Sequence, residues 1–248
     1  MPDQTFFYFP ATTNIGEEFL VDSDEYNHIV KSVRKTVGDP VDIVDGNGRI
    51  IHARIAEINK KTLRCQTQSI EQSSNELPLQ VTAAVALIKQ QRFEWMAEKL
   101  TELGVYKIQP LLTQRVVRSG FRKDRIEKKV ISAMKQSERA VLPEITDPME
   151  FSRWIALAEP EHTFLAAQSA EQKRLSEYHA AFGTAITFAI GPEGGWSESE
   201  LQLMSKRGIR TYRLGNRRLR TETAAIASLA EIAAKIEGNA TIRRNHHE

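Results

Sequence analysis

Two glycine-bearing segments hold the residue types that could bind a ligand closely and transfer a group from it. The first, Ala189-Ile190-Gly191-Pro192-Glu193-Gly194-Gly195-Trp196, follows an apolar run. It precedes Ser197 and Glu200, whose spacing is that of a capping box opening a helix. Glycines between a strand end and a helix N-terminus let the backbone itself approach a ligand. An ordinary tight strand-to-helix turn would use the same residues. The Lys-Ser/Thr ending of a phosphate loop is absent, and so is the G-x-G-x-x-G pattern. A dinucleotide oxidoreductase is excluded, because its glycine fingerprint does not follow the first strand of the α/β pattern.

The second segment runs Leu214-Gly215-Asn216-Arg217-Arg218-Leu219-Arg220-Thr221-Glu222-Thr223-Ala224 and again leads from a strand to a helix, with Thr221 at the N-cap position. The helix beyond it, through Ala225, Ile226, Leu229, Ile232, Ala233 and Ile236, is apolar over most of its circumference. It must be buried inside its domain or against a second subunit. Three arginines beside such a helix call for an anion, either RNA phosphate or a carboxylate such as Glu222.

The chain has 248 residues with a net charge of only +2, so bulk charge does not announce nucleic-acid binding. Local clusters say more. Arg115, Arg118, Arg122, Lys123, Arg125, Lys128 and Lys129 crowd one interval, Arg217, Arg218 and Arg220 another, and Arg243-Arg244 a third. Each could be a phosphate footprint or a solvated face. Cys65 is the single cysteine, so no intrachain disulfide can form, and the six scattered histidines offer no metal-ligand spacing. No metal is expected. No run approaches the roughly 20 apolar residues of a membrane span, and the start, Met1 to Phe9, lacks the pattern of a secretory signal. A cytoplasmic protein is expected.

The elements that must position these segments fall into two patterns. Residues 1–72 read as short strands, at 41–44, 49–58 and 63–70, with a turn signal at Asp45-Gly46-Asn47-Gly48 and one helix over 23–35. Residues 71–78 are polar and end in Pro78, as an interdomain linker would. Residues 73–248 then alternate strands (79–88, 105–110, 163–167, 185–190, 211–214) with helices (91–103, 123–141, 151–158, 198–207), the pattern of a largely parallel α/β sheet. Trp95, Trp154 and Trp196 are expected to be packing residues.

Taken together, these motifs resemble the 16S ribosomal RNA uracil-N3 methyltransferases of the SPOUT superfamily. Gly191 to Gly195 and Leu214 to Ala224 resemble that family's two cofactor-loop motifs. Further matches include His28, Val33-Arg34 and Gly38; Lys89 to Arg92, Glu94, Lys99 and Glu102 to Val105; and Gln136-Ser137, Arg139, Pro143 and Ile145. The chain departs from the family at Gln4-Thr5, Lys135 and Arg218, which bears on RNA contacts more than on the cofactor loops.

The resemblance implies an α+β two-domain fold: a PUA-like β-barrel for RNA binding over 1–72 and a SPOUT α/β domain with a trefoil knot over 73–248. It implies S-adenosylmethionine held by Leu165, Ala167, Ile190, Gly191, Pro192, Gly194, Gly195, Leu214, Gly215, Leu219, Thr221, Thr223 and Ala224. It implies a homodimer acting on 16S rRNA of the small ribosomal subunit. RNA contacts are expected at His28, Arg34, Lys35, Lys89, Arg92, Arg115, Arg118 and Arg139. Arg220 would stabilise charge developing on the uracil. Glu193 or Glu222 could accept the N3 proton or orient a loop; an acid at a helix start often only caps. Related SPOUT enzymes methylate ribose 2′-hydroxyls or other bases, and a non-catalytic assembly factor could keep the same fold.

Overall fold

The alternating residues of the first 72 positions become one five-stranded sheet. The computed structural model describes residues 6–10, 16–116, 120–167, 173–178 and 184–245, apart from the side chains of Ser23, Ser176 and residues 239–245. Its residues fall into two compact units, 1–76 with 131–142 and 77–130 with 143–248.

In the first unit the strands are β1 (Phe6–Tyr8), β2 (Glu18–Val21), β3 (Pro40–Val44), β4 (Arg49–Ile58) and β5 (Leu63–Gln72), in sheet order β1-β3-β4-β5-β2. Both edge strands send side chains into the same core. Phe7 of β1 and Phe19 and Val21 of β2 pack with Ile43, Ile51, Ile55 and Cys65, so the sheet is curled around that cluster. Phe6, Val44 and Ile50 turn to the other face and pack with Met134 and Ala140.

The single helix expected over 23–35 is two pieces. An α-turn, α1 (Ser23–Asn27), passes into a π-turn over His28–Ser32, closed by Val33 N–H donating to His28 C=O at 2.9 Å. The wider π-turn breaks the 3.6-residue period. Tyr26 and Ile29 keep the core side while Val33 rotates out to become exposed. Arg34 then takes a left-handed φ of 60°.

The polar stretch before Leu77 is tied down. Glu76 accepts from Arg139 Nε at 2.9 Å and Nη2 at 2.7 Å, and from the amides of Ala140 and Val141 at 3.0 Å each. This grip explains why residues 131–142 cluster with the first unit. Arg139 is only 3% exposed and spends its guanidinium here, so it organises this unit instead of offering a charge to RNA phosphate.

On the same sheet, Asp42 and His52 face each other across β3 and β4, with His52 Nδ1 2.7 Å from Asp42 Oδ1 and Nε2 3.4 Å from Glu71. The Asp42 hydrogen bond, against a smaller opposing effect of burial, holds the imidazole's proton above its ordinary range. The folded pKa therefore exceeds the unfolded one. The stabilisation is complete below the unfolded value of about 6.5 and is lost as pH rises through the folded value. For a partly exposed pair the loss should stay below about 1 kcal/mol. Melting curves of wild type and His52→Gln should therefore converge as pH rises from about 6 to about 8; a constant gap would reject the assignment. Cys65 is fully buried, and burial pushes its thiol pKa up to about 11. The native thiol should resist disulfide reagents at neutral pH and react fully on unfolding; prompt native labelling would contradict this.

The second unit is a parallel sheet with helices. Its strands are β6 (Gln80–Ala86), β7 (Lys107–Leu112), β8 (Glu144–Ile145), β9 (Met149–Glu150), β10 (Thr163–Ala166), β11 (Ala185–Ile190) and β12 (Arg210–Tyr212). The order is β12-β10-β11-β6-β7-β8, with β9 also pairing β7, and every pair is parallel. The helices are α2 (Gln90–Glu102), the part of α3 (Lys123–Gln136) up to Val130, α4 (Phe151–Leu157), α5 (Glu198–Lys206) and α6 (Thr221–Asn245). On α2, Phe93, Met96, Ala97 and Leu100 are buried as the spacing predicts. Gly104 ends that helix with a φ of 92°. The helix expected over 123–141 stops at Gln136, and Glu138 takes a φ of 57°. Trp154 and Trp196 are core residues, but Trp95 is 47% exposed, which corrects its expected packing role. Among the described residues no helix is long and apolar enough to cross a membrane.

Candidate active site

Strand order in the second unit reverses at β6. The chain builds outward through β7 and β8 on one side, then lays β10, β11 and β12 on the other, with β11 inserted between β6 and β10. Carboxyl ends next to such a reversal are where open α/β sheets take ligands. Here the segments following β10, β11 and β12 meet around a cavity of about 440 Å³, within the usual size of a small-molecule site.

Specific bonds hold the three segments together. The Trp196 indole N–H donates to Ala166 C=O at 3.0 Å, joining the β11 loop to the end of β10. The Thr221 hydroxyl donates to Gly191 C=O at 3.0 Å, joining the start of α6 to the β11 loop. Thr221 is thus the first residue of α6 and a tie between loops, where the sequence suggested a cap. Arg115 Nη1 donates to Gly194 C=O at 2.9 Å and Arg218 Nη2 to Glu193 C=O at 2.7 Å. Beyond the loop the expected capping box is present: Glu200 N–H donates to the Ser197 hydroxyl and Ser197 N–H to Glu200 Oε2. The other Glu200 oxygen accepts from Gln114 N–H at 2.9 Å, anchoring the chain after β7 as well. At the base, Tyr212 and Ser228 share a hydrogen bond of 2.7 Å. Burial raises the Tyr212 pKa, so this phenol stays neutral and fastens α6 to β12.

Most residues expected at a cofactor line this cavity. Ala167, Ile190, Gly191, Pro192, Gly194 and Gly195 come from the first two segments. Leu214, Gly215, Leu219, Thr221 and Ala224 come from the third. Leu165 is instead in the apolar core and Thr223 lies exposed on α6; neither lines the cavity.

Charged residues meet at the loop after β11 and the start of α6. Arg92, on the first turn of α2, donates to the exposed Glu193 carboxylate, and its Nε stands 3.9 Å from Glu222 Oε1. Glu222 is buried, and its Oε2 has no hydrogen-bond partner. Arg220 is exposed at the end of the third segment; among the described residues no hydrogen bond or ion pair engages its guanidinium. Its carbonyl accepts from Ala224 N–H at 2.8 Å, so its backbone is fixed by α6.

Comparison with known proteins places this architecture. Residues 75–233 match the sequence profile described as the RNA methyltransferase domain, and residues 21–68 match the RNA methyltransferase PUA domain. A relative from Synechocystis sp. with the name ribosomal RNA small subunit methyltransferase E is 34% identical over 219 residues, covering 86% of this chain and 72% of the relative. The chain belongs to the ribosomal RNA small subunit methyltransferase E family. Solved structures agree in fold. A crystal structure from Porphyromonas gingivalis, described as that of a probable rRNA-methyltransferase, superposes with a TM-score of 0.86 at 29% identity, over 95% of this chain and 99% of that one. The ribosomal RNA small subunit methyltransferase E of Neisseria gonorrhoeae, bound to S-adenosylmethionine, gives a TM-score of 0.82 at 29% identity, over 92% and 96% of the two chains.

Within this family frame, the cations expected at RNA are differently engaged. Lys89 and Arg115 are exposed in the second unit, Arg115 with one nitrogen on Gly194 of the loop after β11. In the first unit His28 lies 3.7 Å from Glu25, Lys35 donates to Pro40 C=O at 2.8 Å, and Arg34 is exposed. Arg118 lies outside the described residues. Sequence reasoning missed Ala166, Leu201, Tyr212, Arg213, Arg217 and Arg218 as cavity residues. Ala166 and Tyr212, at the ends of β10 and β12, could have been found from the rule that such sheets bind ligands at strand ends.

Proposed function

We propose that the protein methylates N3 of a uridine in 16S rRNA of the small ribosomal subunit, using S-adenosylmethionine. The observation that carries this reading is the convergence of three strand-end loops on one cavity beside an uncommitted arginine. The cavity suits the cofactor: apolar side chains such as Ile190 and Leu219 can cover an adenine, and the glycines expose backbone groups to polar edges. Gly191, Pro192, Gly195, Leu214, Leu219 and Thr221 would hold it. When bound, it supplies a methyl group already activated by positive sulfur. The protein's contribution is then positioning and charge stabilisation. Arg220 stabilises the negative charge that grows on the uracil as N3 loses its proton. Glu222, buried at the start of α6, orients Arg92 and is not presented to a base.

The uridine must be unpaired to reach this site. We assign RNA capture to a first domain over 1–72, with His28, Arg34 and Lys35 on its RNA surface, and methyl transfer to a second over 73–248, with Lys89 and Arg115 at its rim. A trefoil knot is supported by the path of the chain. β12 lies at the sheet edge, while α6, next in sequence, packs back on β11, β6 and α2, tied to Gly191. A homodimer is supported by the exposed Trp95 on α2 and by Ile226, Ala227 and Ala230 on the neighbouring α6, which remain half-buried. Activity in the cytoplasm, where ribosomal RNA is assembled, completes the reading.

The test is transfer of labelled methyl to deproteinised rRNA and to small subunits from a strain lacking this protein, with the nucleoside identified by mass. 3-Methyluridine is expected. A 2′-O-methyl nucleoside, or cofactor binding with no transfer to either RNA, would reject it.

A further inference from the structure

Arg92 serves two carboxylates of opposite exposure. It bonds to Glu193, whose side chain is 59% exposed, and approaches Glu222, which is 7% exposed, without reaching hydrogen-bond distance. Glu222 keeps one buried oxygen without any partner. A buried carboxylate left short of donors beside a guanidinium is a second, unfilled position for that guanidinium. Glu193 meanwhile lies in the cofactor loop and, like its neighbours Pro192 and Gly194, lines the cavity. Its backbone is fixed independently, since Arg218 holds the Glu193 carbonyl and not the carboxylate. Moving Arg92 would therefore change what the Glu193 side chain can do without undoing the loop.

We infer that Arg92 is a latch: it masks Glu193 in the resting enzyme and withdraws to Glu222 when the uracil enters, which frees the Glu193 carboxylate to take the N3 proton. The inference rests on the methyl-transfer reading above. In that step the N3–H bond breaks, its proton goes to Glu193 and then to water, the N3 electron pair forms the new bond to carbon, and the donor's sulfur keeps the pair of the bond it loses. Arg92 is a positioning residue, acting through Glu193. Glu222 is the counter-ion that makes withdrawal favourable in a dry environment.

A latch and a static scaffold predict opposite orders of variants. With Glu222→Gln the withdrawn position is lost, Arg92 stays on Glu193, and kcat at saturating subunit RNA falls about thirtyfold. Arg92→Met costs about threefold. The double variant should return to the Arg92→Met level, so that a second mutation restores activity. In a scaffold the double variant is at least as slow as Glu222→Gln, and that result overturns the latch. Cofactor affinity by calorimetry should vary less than threefold across the set. A readout independent of turnover is carbodiimide amidation of Glu193, located by peptide mass. It should rise at least threefold in Arg92→Met and not rise in Glu222→Gln; no rise in Arg92→Met rejects masking. Should Glu222→Gln fail to fold, Glu222→Asp keeps the charge one methylene farther from Arg92 and should give an intermediate kcat, again restored by Arg92→Met. A wild type that transfers no methyl to any RNA removes the functional reading itself; an active wild type with the scaffold order removes only the latch.

Discussion

Arg220→Ala is expected to lower methyl transfer to small-subunit RNA by about 100- to 1,000-fold, the scale of removing one preorganised charge-stabilising donor. That corresponds to roughly 2.7–4 kcal/mol of transition-state stabilisation. The same substitution should leave the melting temperature and cofactor affinity almost unchanged. Both halves follow from where Arg220 sits. Its backbone is locked by the first hydrogen bond of α6 and by its neighbour Thr221, which is bonded to Gly191. Its guanidinium is exposed and engages nothing among the described residues, so folding gains little from it. Arg218 is the contrast, because it holds the Glu193 carbonyl. Arg218→Ala should therefore weaken the loop after β11 first, and transfer through it. Arg220→Lys keeps a point charge without the planar fork and should recover only part of the rate. The measurement is single-turnover transfer with saturating cofactor. Full activity in Arg220→Ala would assign the charge-stabilising role elsewhere.

How far the sequence could be read depended on the range of the interaction. Elements set by local periodicity were legible: β4 and β11 match the expected ranges, and α2 begins one residue earlier than its stripe suggested and ends one residue earlier. The capping box at Ser197 and Glu200 was equally clear, because both partners lie within one turn. The π-turn at His28–Ser32 was not, since the apolar spacing of Tyr26, Ile29, Val30 and Val33 is that of an unbroken α-helix and carries no sign of the wider turn. Nor could composition foresee the pairing of Glu76 with Arg139, 63 positions apart, or of Arg92 with Glu193, 101 positions apart. An arginine reads as a free cation until its partner is known. That is why Arg139 looked like a phosphate contact and is buried on a carboxylate. The loops around the cavity were legible for a different reason. Their glycines mark close approach, and close approach was needed where the loops meet.

Gly191 makes that last point testable. Its φ is not in the left-handed region; what it requires is room. A Cβ at this position would lie 2.9 Å from Trp196 Cε2, 3.1 Å from Cδ2 and 3.2 Å from Nε1. The indole cannot retreat freely, because its N–H holds Ala166 C=O and its ring packs on Phe151 with centroids 5.1 Å apart. Gly191→Ala must therefore displace either the indole or the loop, and both line the cavity. Overpacking of this kind costs about 1–3 kcal/mol. Where the strain falls on a binding loop, up to about a hundredfold in cofactor affinity follows. Trp196→Phe removes the atoms in the way but also the N–H bond to Ala166, and should weaken binding severalfold alone. In the Gly191→Ala background the same change relieves the collision, so the double variant should bind more tightly than Gly191→Ala. Calorimetry on the four proteins reads this coupling directly. Affinities that multiply independently would mean that Gly191 and Trp196 do not share the wall of the cofactor site.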